Sequence, residues 1–164
     1  MNKKYTTRDI AITGLGIAIV FVATMFIKIP NAIDGYYNLG DGFILLFASI
    51  LNPVLAMIIG GLGSALADVA SGYAYYFFFT LIIKGFEGFL VSYLIHKVSP
   101  KLRIPSYFIG SVIMVIGYFF AKWILKGSAI IALGGVLGNI GQGLTGVVIA
   151  LIAYPLFKRL GTSK

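Results

Sequence analysis

Lys84 and Glu87 are the residues whose chemistry is hardest to reconcile with their surroundings. They stand in the run Tyr75-Tyr-Phe-Phe-Phe-Thr-Leu-Ile-Ile-Lys84-Gly85-Phe86-Glu87-Gly88-Phe-Leu-Val-Ser-Tyr-Leu-Ile95. That run is long and apolar enough to span a bilayer, which takes roughly 20 residues. A charged side chain at mid-helix costs about 2.5–3.5 kcal/mol on insertion scales. The i, i+3 spacing puts both residues on one helix face, with Thr80 one turn above Lys84. At a rise of ~1.5 Å per residue, Lys84 lies about 13 Å and Glu87 about 18 Å from Tyr75, near the middle of a hydrocarbon core roughly 30 Å thick. One reading is an intrahelical ion pair that serves only packing. The other is a polar ligand site inside a helical bundle, in which both side chains contact a small molecule.

The rest of the chain must hold such a pair in place. Of the 164 residues, 59% are hydrophobic and only 11% are charged, and the mean hydropathy is +0.98. Soluble domains carry about 25% charged residues, so this is an integral membrane protein. At roughly 25 residues per span and turn, residues 1–164 allow a single domain of about five to seven helices, and the chain read in order gives an all-α bundle of six transmembrane helices. The net charge of +8 does not read as nucleic-acid binding, because the basic residues cluster at helix ends. With no cysteine and one histidine, His96, thiol chemistry, a metal cage and a catalytic triad are not expected. The basic start followed by an apolar run to Ile29 is too long for a signal-peptide core and reads as an uncleaved first helix.

Taken in order, the first helix covers residues 7–28, with Thr6, Thr7 or Asp9 able to cap it. Ala11, Gly14 and Ala18 make a smooth stripe where another helix can approach closely, either inside the bundle or from a partner. Pro30 ends this helix. Residues 31–38 are too polar for lipid and contain the turn signal Asp34-Gly35 and the tyrosine pair Tyr36 and Tyr37; they read as a lid over a pocket or as a plain connector somewhat longer than most. The second helix, 39–51, is short, and its first turn carries Asp41, where the helix dipole favours a carboxylate. Asn52-Pro53 opens the third helix, in which Gly60, Ser64 and Asp68 form a close-packing ridge ending in a carboxylate. Asp68 is either a pocket residue or a cap for the following loop. The fourth helix is the opening run. The fifth, 106–125, carries Tyr118, Lys122 and Trp123, the last two read as a snorkelling cation and an interface anchor. The sixth, 129–160, carries Asn139 and Gln142 on one face, about 15–20 Å from Ala129 and thus at the depth of Lys84 and Glu87. Cross-helix bonding alone would also explain that pair.

With six spans, Lys3, Lys4, Arg8, Lys97, Lys101, Arg103, Lys158, Arg159 and Lys164 share one side, and the positive-inside rule puts both termini in the cytoplasm. Asp41 and Asp68 then lie towards the outside, above the midplane cluster. Asn38, Asp41, Asp68, Tyr73, Tyr76, Thr80, Lys84, Glu87, Tyr118, Asn139 and Gln142 form the candidate substrate site, with tyrosines available to stack on a small heteroaromatic ring.

Leu39-Gly40-Asp41, Pro53, Gly60-Gly61-Leu62-Gly63-Ser64-Ala65-Leu66-Ala67-Asp68 and Lys84-Gly85-Phe86-Glu87-Gly88 resemble the substrate-binding S components of energy-coupling factor (ECF) vitamin transporters, in particular the hydroxymethylpyrimidine or pyridoxine group. The motif match covers about residues 39–88, and the six-helix plan extends it to the whole chain. The resemblance implies a pocket near the outer face of a bacterial cell membrane, closed by the loops after the first, third and fifth helices. It implies as partners a transmembrane coupling protein and two cytoplasmic ATPase subunits, which use the ATP, while this chain itself holds no cofactor. In that family the first helix docks the coupling protein through an Ala-x-x-x-Ala motif. Here Ala11 is followed four residues later by Leu15, so the docking face falls on Ala11, Gly14 and Ala18.

Independently, the chain has no phosphate-binding loop, so concentrative uptake needs an ion gradient or a partner ATPase. Besides a vitamin-binding transport subunit, the residues allow a small ion-coupled secondary transporter or channel with Lys84 and Glu87 as a proton relay. An intramembrane enzyme lacks a nucleophile–base pair or metal set.

Overall fold

The structure, a computed structural model, describes residues 5–30 and 35–160. The first helix, α1 (Thr7–Met25), starts at a reciprocal capping box: the Asp9 amide donates to Thr6 Oγ1 (3.1 Å), and the Thr6 amide donates to Asp9 Oδ2 (3.0 Å). A short antiparallel hairpin follows, β1 (Lys28–Pro30) and β2 (Tyr36–Asn38), with Ile29 opposite Tyr37. The segment read as a lid or a connector is thus flanked by paired strands; Asp34, half of the turn signal, lies outside the described residues. Gly35 has φ +85°, the left-handed conformation that glycine adopts without a Cβ penalty.

Next come α2 (Gly40–Ile50) and α3 (Pro53–Ala70), the latter capped by Asn52, whose side chain accepts from the amides of Val54 and Leu55. A 3-10 turn leads into α4 (Phe77–Tyr93), which ends in a widened turn over Leu94–Val98. The fifth helix, α5 (Arg103–Lys126), starts three residues earlier than expected. Pro105 did not end it, because an amide in the first helical turn has no intrahelical acceptor to lose. The expected sixth helix is two pieces, α6 (Ala129–Leu133) and α7 (Val136–Phe157), broken at Gly134-Gly135.

Five helical segments are long and apolar enough to cross a membrane, Thr7–Met25, Pro53–Ala70, Ala74–Val98, Pro100–Lys126 and Ala129–Leu160. The sixth element, α2, is about 16 Å long by helix rise. It runs through the middle of the bundle, with Ile44, Leu45, Leu46, Phe47 and Ala48 essentially inaccessible. A helix apolar on all sides is stable only when enclosed, and α1, α3, α4 and α7 enclose it. At one end of the bundle, Arg8 Nη2 donates to the carbonyls of Arg159 (3.5 Å) and Leu160 (3.3 Å), tying the two ends of the described chain together.

Glycines set how closely α3 and α4 approach. A Cβ on Gly60 would lie 2.5 Å from the Lys84 carbonyl oxygen, and one on Gly88 would lie 2.6 Å from that of Ala56. Two backbones in such contact gain dispersion energy that lipid cannot supply. Gly14, on the outer face of α1, has nothing within 4 Å of a built Cβ. We predict that Gly60→Val lowers stability by about 1–3 kcal/mol through overpacking, whereas Gly14→Ala leaves it unchanged. Thermal unfolding in detergent checks this, and equal melting of both variants would show that the α3–α4 contact is not close.

Candidate functional site

The polar residues inside the bundle form one connected chain. Lys84 Nζ donates to Asp41 Oδ1 on α2 and to Glu87 Oε2 (3.3 Å) on its own helix. All three side chains are buried, Glu87 completely. The i, i+3 pair read from the sequence is therefore present but is half of a three-membered ion cluster. Asp41 is held by more than its helix dipole. Its other oxygen, Oδ2, accepts from Gln142 Nε2 on α7 at 2.8 Å. Gln142 Oε1 accepts in turn from the backbone amide of Asn38 (3.0 Å) and from Asn38 Nδ2 (3.1 Å). Asn38 Oδ1 accepts from the Gly40 amide (2.9 Å), which pins the hairpin to the start of α2. Gly146 makes room for this junction, since a Cβ there would sit 2.9 Å from that of Asp41.

Next to this chain lies a cleft of about 490 Å³, part of it open to solvent. Its walls come from Gly35, Tyr36 and Asn38 of the hairpin, Asp68, Tyr73, Tyr76, Tyr118 and Lys122, with Asn139 and Gln142 on α7. Of the residues expected at the site, Asn38, Asp68, Tyr73, Tyr76, Tyr118, Asn139 and Gln142 line the cleft. Asp41, Thr80, Lys84 and Glu87 stand behind its wall. Thr80 shares a hydrogen bond with the Tyr118 hydroxyl (3.0 Å), and Lys84 Nζ lies 5.4 Å from the Tyr118 ring centroid, so the second row braces the first. The connection after α1 supplies hairpin residues, and the one after α3 supplies Tyr73 and Tyr76. Gly127 and Ser128, after α5, are not among the lining residues.

The hairpin is fastened to two walls. The Tyr36 hydroxyl donates to Asp68 Oδ1 at 2.6 Å. Burial, and then the charge of Asp68, push the Tyr36 hydroxyl well above the usual phenol range, which keeps it a donor at all physiological pH. The Tyr37 hydroxyl reaches Thr145 Oγ1 and the Gly141 carbonyl on α7. The tyrosine rings run on from one another, Tyr36–Tyr73 with centroids 5.1 Å apart and Tyr76–Tyr118 6.4 Å apart. Lys122, read from the sequence as a snorkelling cation, is instead buried in the cleft wall, against Gly135 at the break before α7. The signal for it was its i+4 spacing from Tyr118, which puts both on one face of α5. The stripe Ala11, Gly14 and Ala18 is exposed on the outside of α1; the small residue that packs inward is Gly16, against Ile59.

Such an arrangement can enclose a small planar molecule between aromatic faces, with donors and acceptors at its rim. Among the described residues, no group of histidine and carboxylate side chains is placed to hold a metal ion. The ion cluster carries a specific energetic expectation. Lys84→Met leaves Asp41 and Glu87 buried without their counter-charge, which costs about 3–5 kcal/mol. Adding Asp41→Asn and Glu87→Gln to Lys84→Met is expected to restore much of the loss. Melting temperatures of the single and triple variants check this; a Lys84→Met protein that melts like the parent would mean that the cluster does not support the fold.

Comparison with known proteins agrees with this geometry. A family profile described as "ECF-type riboflavin transporter, S component" matches residues 4–160. An uncharacterized protein from Pyrococcus woesei is 38% identical over 145 residues, covering 87% of this chain and 97% of that protein. A thiamine precursor transporter, HmpT, from Lactococcus lactis is 30% identical over 133 residues, covering 81% of this chain and 76% of that protein. A UPF0397 protein from Leuconostoc citreum is 30% identical over 71 residues, 43% of this chain and 38% of that protein. With a tyrosine-walled cleft inside a bundle of membrane-spanning helices, the chain belongs to the family of ECF-type riboflavin transporter S components, multi-pass membrane subunits that bind the substrate of a vitamin transporter.

Proposed function

We propose that this protein is the substrate-specific subunit of an ATP-driven importer, capturing hydroxymethylpyrimidine or a pyridoxine-like molecule at the outer side of the membrane. The observation that carries this reading is the cleft itself: tyrosine faces on several sides and a polar rim of Asn38, Asp68, Asn139 and Gln142. The Tyr36–Tyr73 and Tyr76–Tyr118 rings touch in pairs and together offer an aromatic wall on which a small ring can stack. The similarity to a thiamine precursor transporter supports the pyrimidine.

Six crossings with both termini in the cytoplasm fit the described contacts. Five long helices alone would leave the chain's ends on opposite sides, yet Arg8 meets the carbonyl of Leu160. The hairpin and α2 together supply the return crossing. Lys97, Lys101, Arg103, Lys158 and Arg159 then share a side with Arg8, as the positive-inside rule requires. The cleft opens on the other side.

In this reading delivery draws on a coupling protein and two ATPase subunits, the chain itself carrying no phosphate-binding loop. The exposed stripe Ala11, Gly14 and Ala18 offers that coupling protein a close approach. Gly14→Leu or Ala18→Leu is expected to abolish co-purification with the coupling protein and ATPases, and uptake by cells, while ligand titration of the isolated variant stays within about threefold of the parent, a difference of under 1 kcal/mol. Normal assembly and uptake would exclude this face. The proton-relay alternative predicts instead that uptake needs an ion gradient and no partner. For the hairpin, the amides of Lys28, Ile29 and residues 36–38 are expected to exchange more slowly with hydroxymethylpyrimidine bound than without it, and equal exchange would remove its role as a closing element.

A further inference from the structure

Asp68 is the one carboxylate among the cleft-lining residues, and it is only half used. Its Oδ1 accepts from the Tyr36 hydroxyl at 2.6 Å. Its Oδ2 is buried without a hydrogen-bond partner, on a side chain only 6% exposed. A buried carboxylate oxygen left unpaired costs far more than one in water, so the native state with cargo must supply a donor there. The donors of the fold that stand nearest are engaged elsewhere: the Thr80 hydroxyl shares a hydrogen bond with Tyr118 (3.0 Å), and Lys84 Nζ donates to Asp41 and Glu87. The rings of Tyr36 and Tyr73 stand beside Asp68, since Tyr36 bonds it and Tyr73 packs on Tyr36 at 5.1 Å. Tyrosine faces attract electron-poor or cationic rings.

Resting on the functional reading above, we infer that Asp68 Oδ2 accepts a hydrogen bond from an N–H group on the edge of the bound ring, so that the cleft selects nitrogen heterocycles with an amino or protonated ring nitrogen at that edge over analogues with no donor there. Tyr36 then has a second task. By occupying Oδ1 it leaves one oxygen for the cargo, and it couples arrival of that N–H to the position of the hairpin. Asp68 is thus a specificity-determining residue and not a cap for the loop after α3.

The test is isothermal titration of the purified full chain in detergent with 4-amino-5-hydroxymethyl-2-methylpyrimidine and with its analogue lacking the amino group. The parent protein is expected to bind the amino compound about tenfold or more tightly than the analogue, the worth of one charge-assisted hydrogen bond. Asp68→Asn, close in shape, is expected to weaken the amino compound by about tenfold and to shrink the discrimination below about threefold. Tyr36→Phe keeps the carboxylate and is expected to keep the discrimination; it and the analogue pair on the parent protein carry the test if Asp68→Asn does not fold. Equal binding of both compounds by the parent, or full discrimination in Asp68→Asn, would overturn the inference while leaving the transport reading intact. No binding of either compound by folded parent protein would overturn the pyrimidine reading and this inference with it.

Discussion

The structure depends on one ammonium group placed between two carboxylates in an apolar interior. Lys84 joins α4 to α2 through Asp41 and closes on Glu87 along its own helix. None of the three could be buried alone at bearable cost. Together they fix the rotation of α4 about its axis and the height of α2 beside it. One chain of contacts that shapes the cleft runs on from there. Asp41 orients the Gln142 amide, Gln142 receives Asn38, and Asn38 sets where the hairpin leaves the bundle. In the proposed function the ions support the cleft wall, and the residues in front of them meet the cargo.

Such a cluster can form only if three helices come unusually close. Gly60 and Gly88 bring α3 and α4 to backbone contact, and Gly146 admits Asp41 against α7. Lipid gives helices no hydrophobic reason to associate, so small residues and polar bonds divide the work between them. The short α2 follows the same logic. Too short to present an ordinary lipid-facing span, it is sheathed by its neighbours and carries the acidic partner to the depth where Lys84 waits.

Much of this was legible in the sequence, for physical reasons that differ from residue to residue. Lys84 and Glu87 stand out because a charge in an apolar run is anomalous whatever surrounds it. Their link to Asp41 was not legible: it spans 43 residues and depends on which side of α2 faces α4. An acidic residue in a first helical turn has a sufficient local explanation, which hid the long-range one. Lys122 was masked in the same way by the ease with which a lysine near a helix end reaches water. The hairpin strands are three residues each, too short for alternation to register. The Gly134-Gly135 break was visible as a dipeptide, but glycine is frequent in membrane helices and carries little weight there. The bond that Asp68 accepts from Tyr36 was not legible either, because it joins residues 32 apart across the hairpin.

The division between a supporting ion cluster and a binding surface in front of it is open to direct measurement. An experimental structure of the protein with hydroxymethylpyrimidine bound would locate every polar contact of the ring. Expected is a ring between the Tyr36, Tyr73 and Tyr118 faces, within hydrogen-bond reach of Asp68 and Asn139 or Gln142, with Lys84 still held between Asp41 and Glu87. A ligand atom bonded to Lys84 or Glu87, with the Asp41 pair opened to admit it, would contradict that division and make the cluster itself the site.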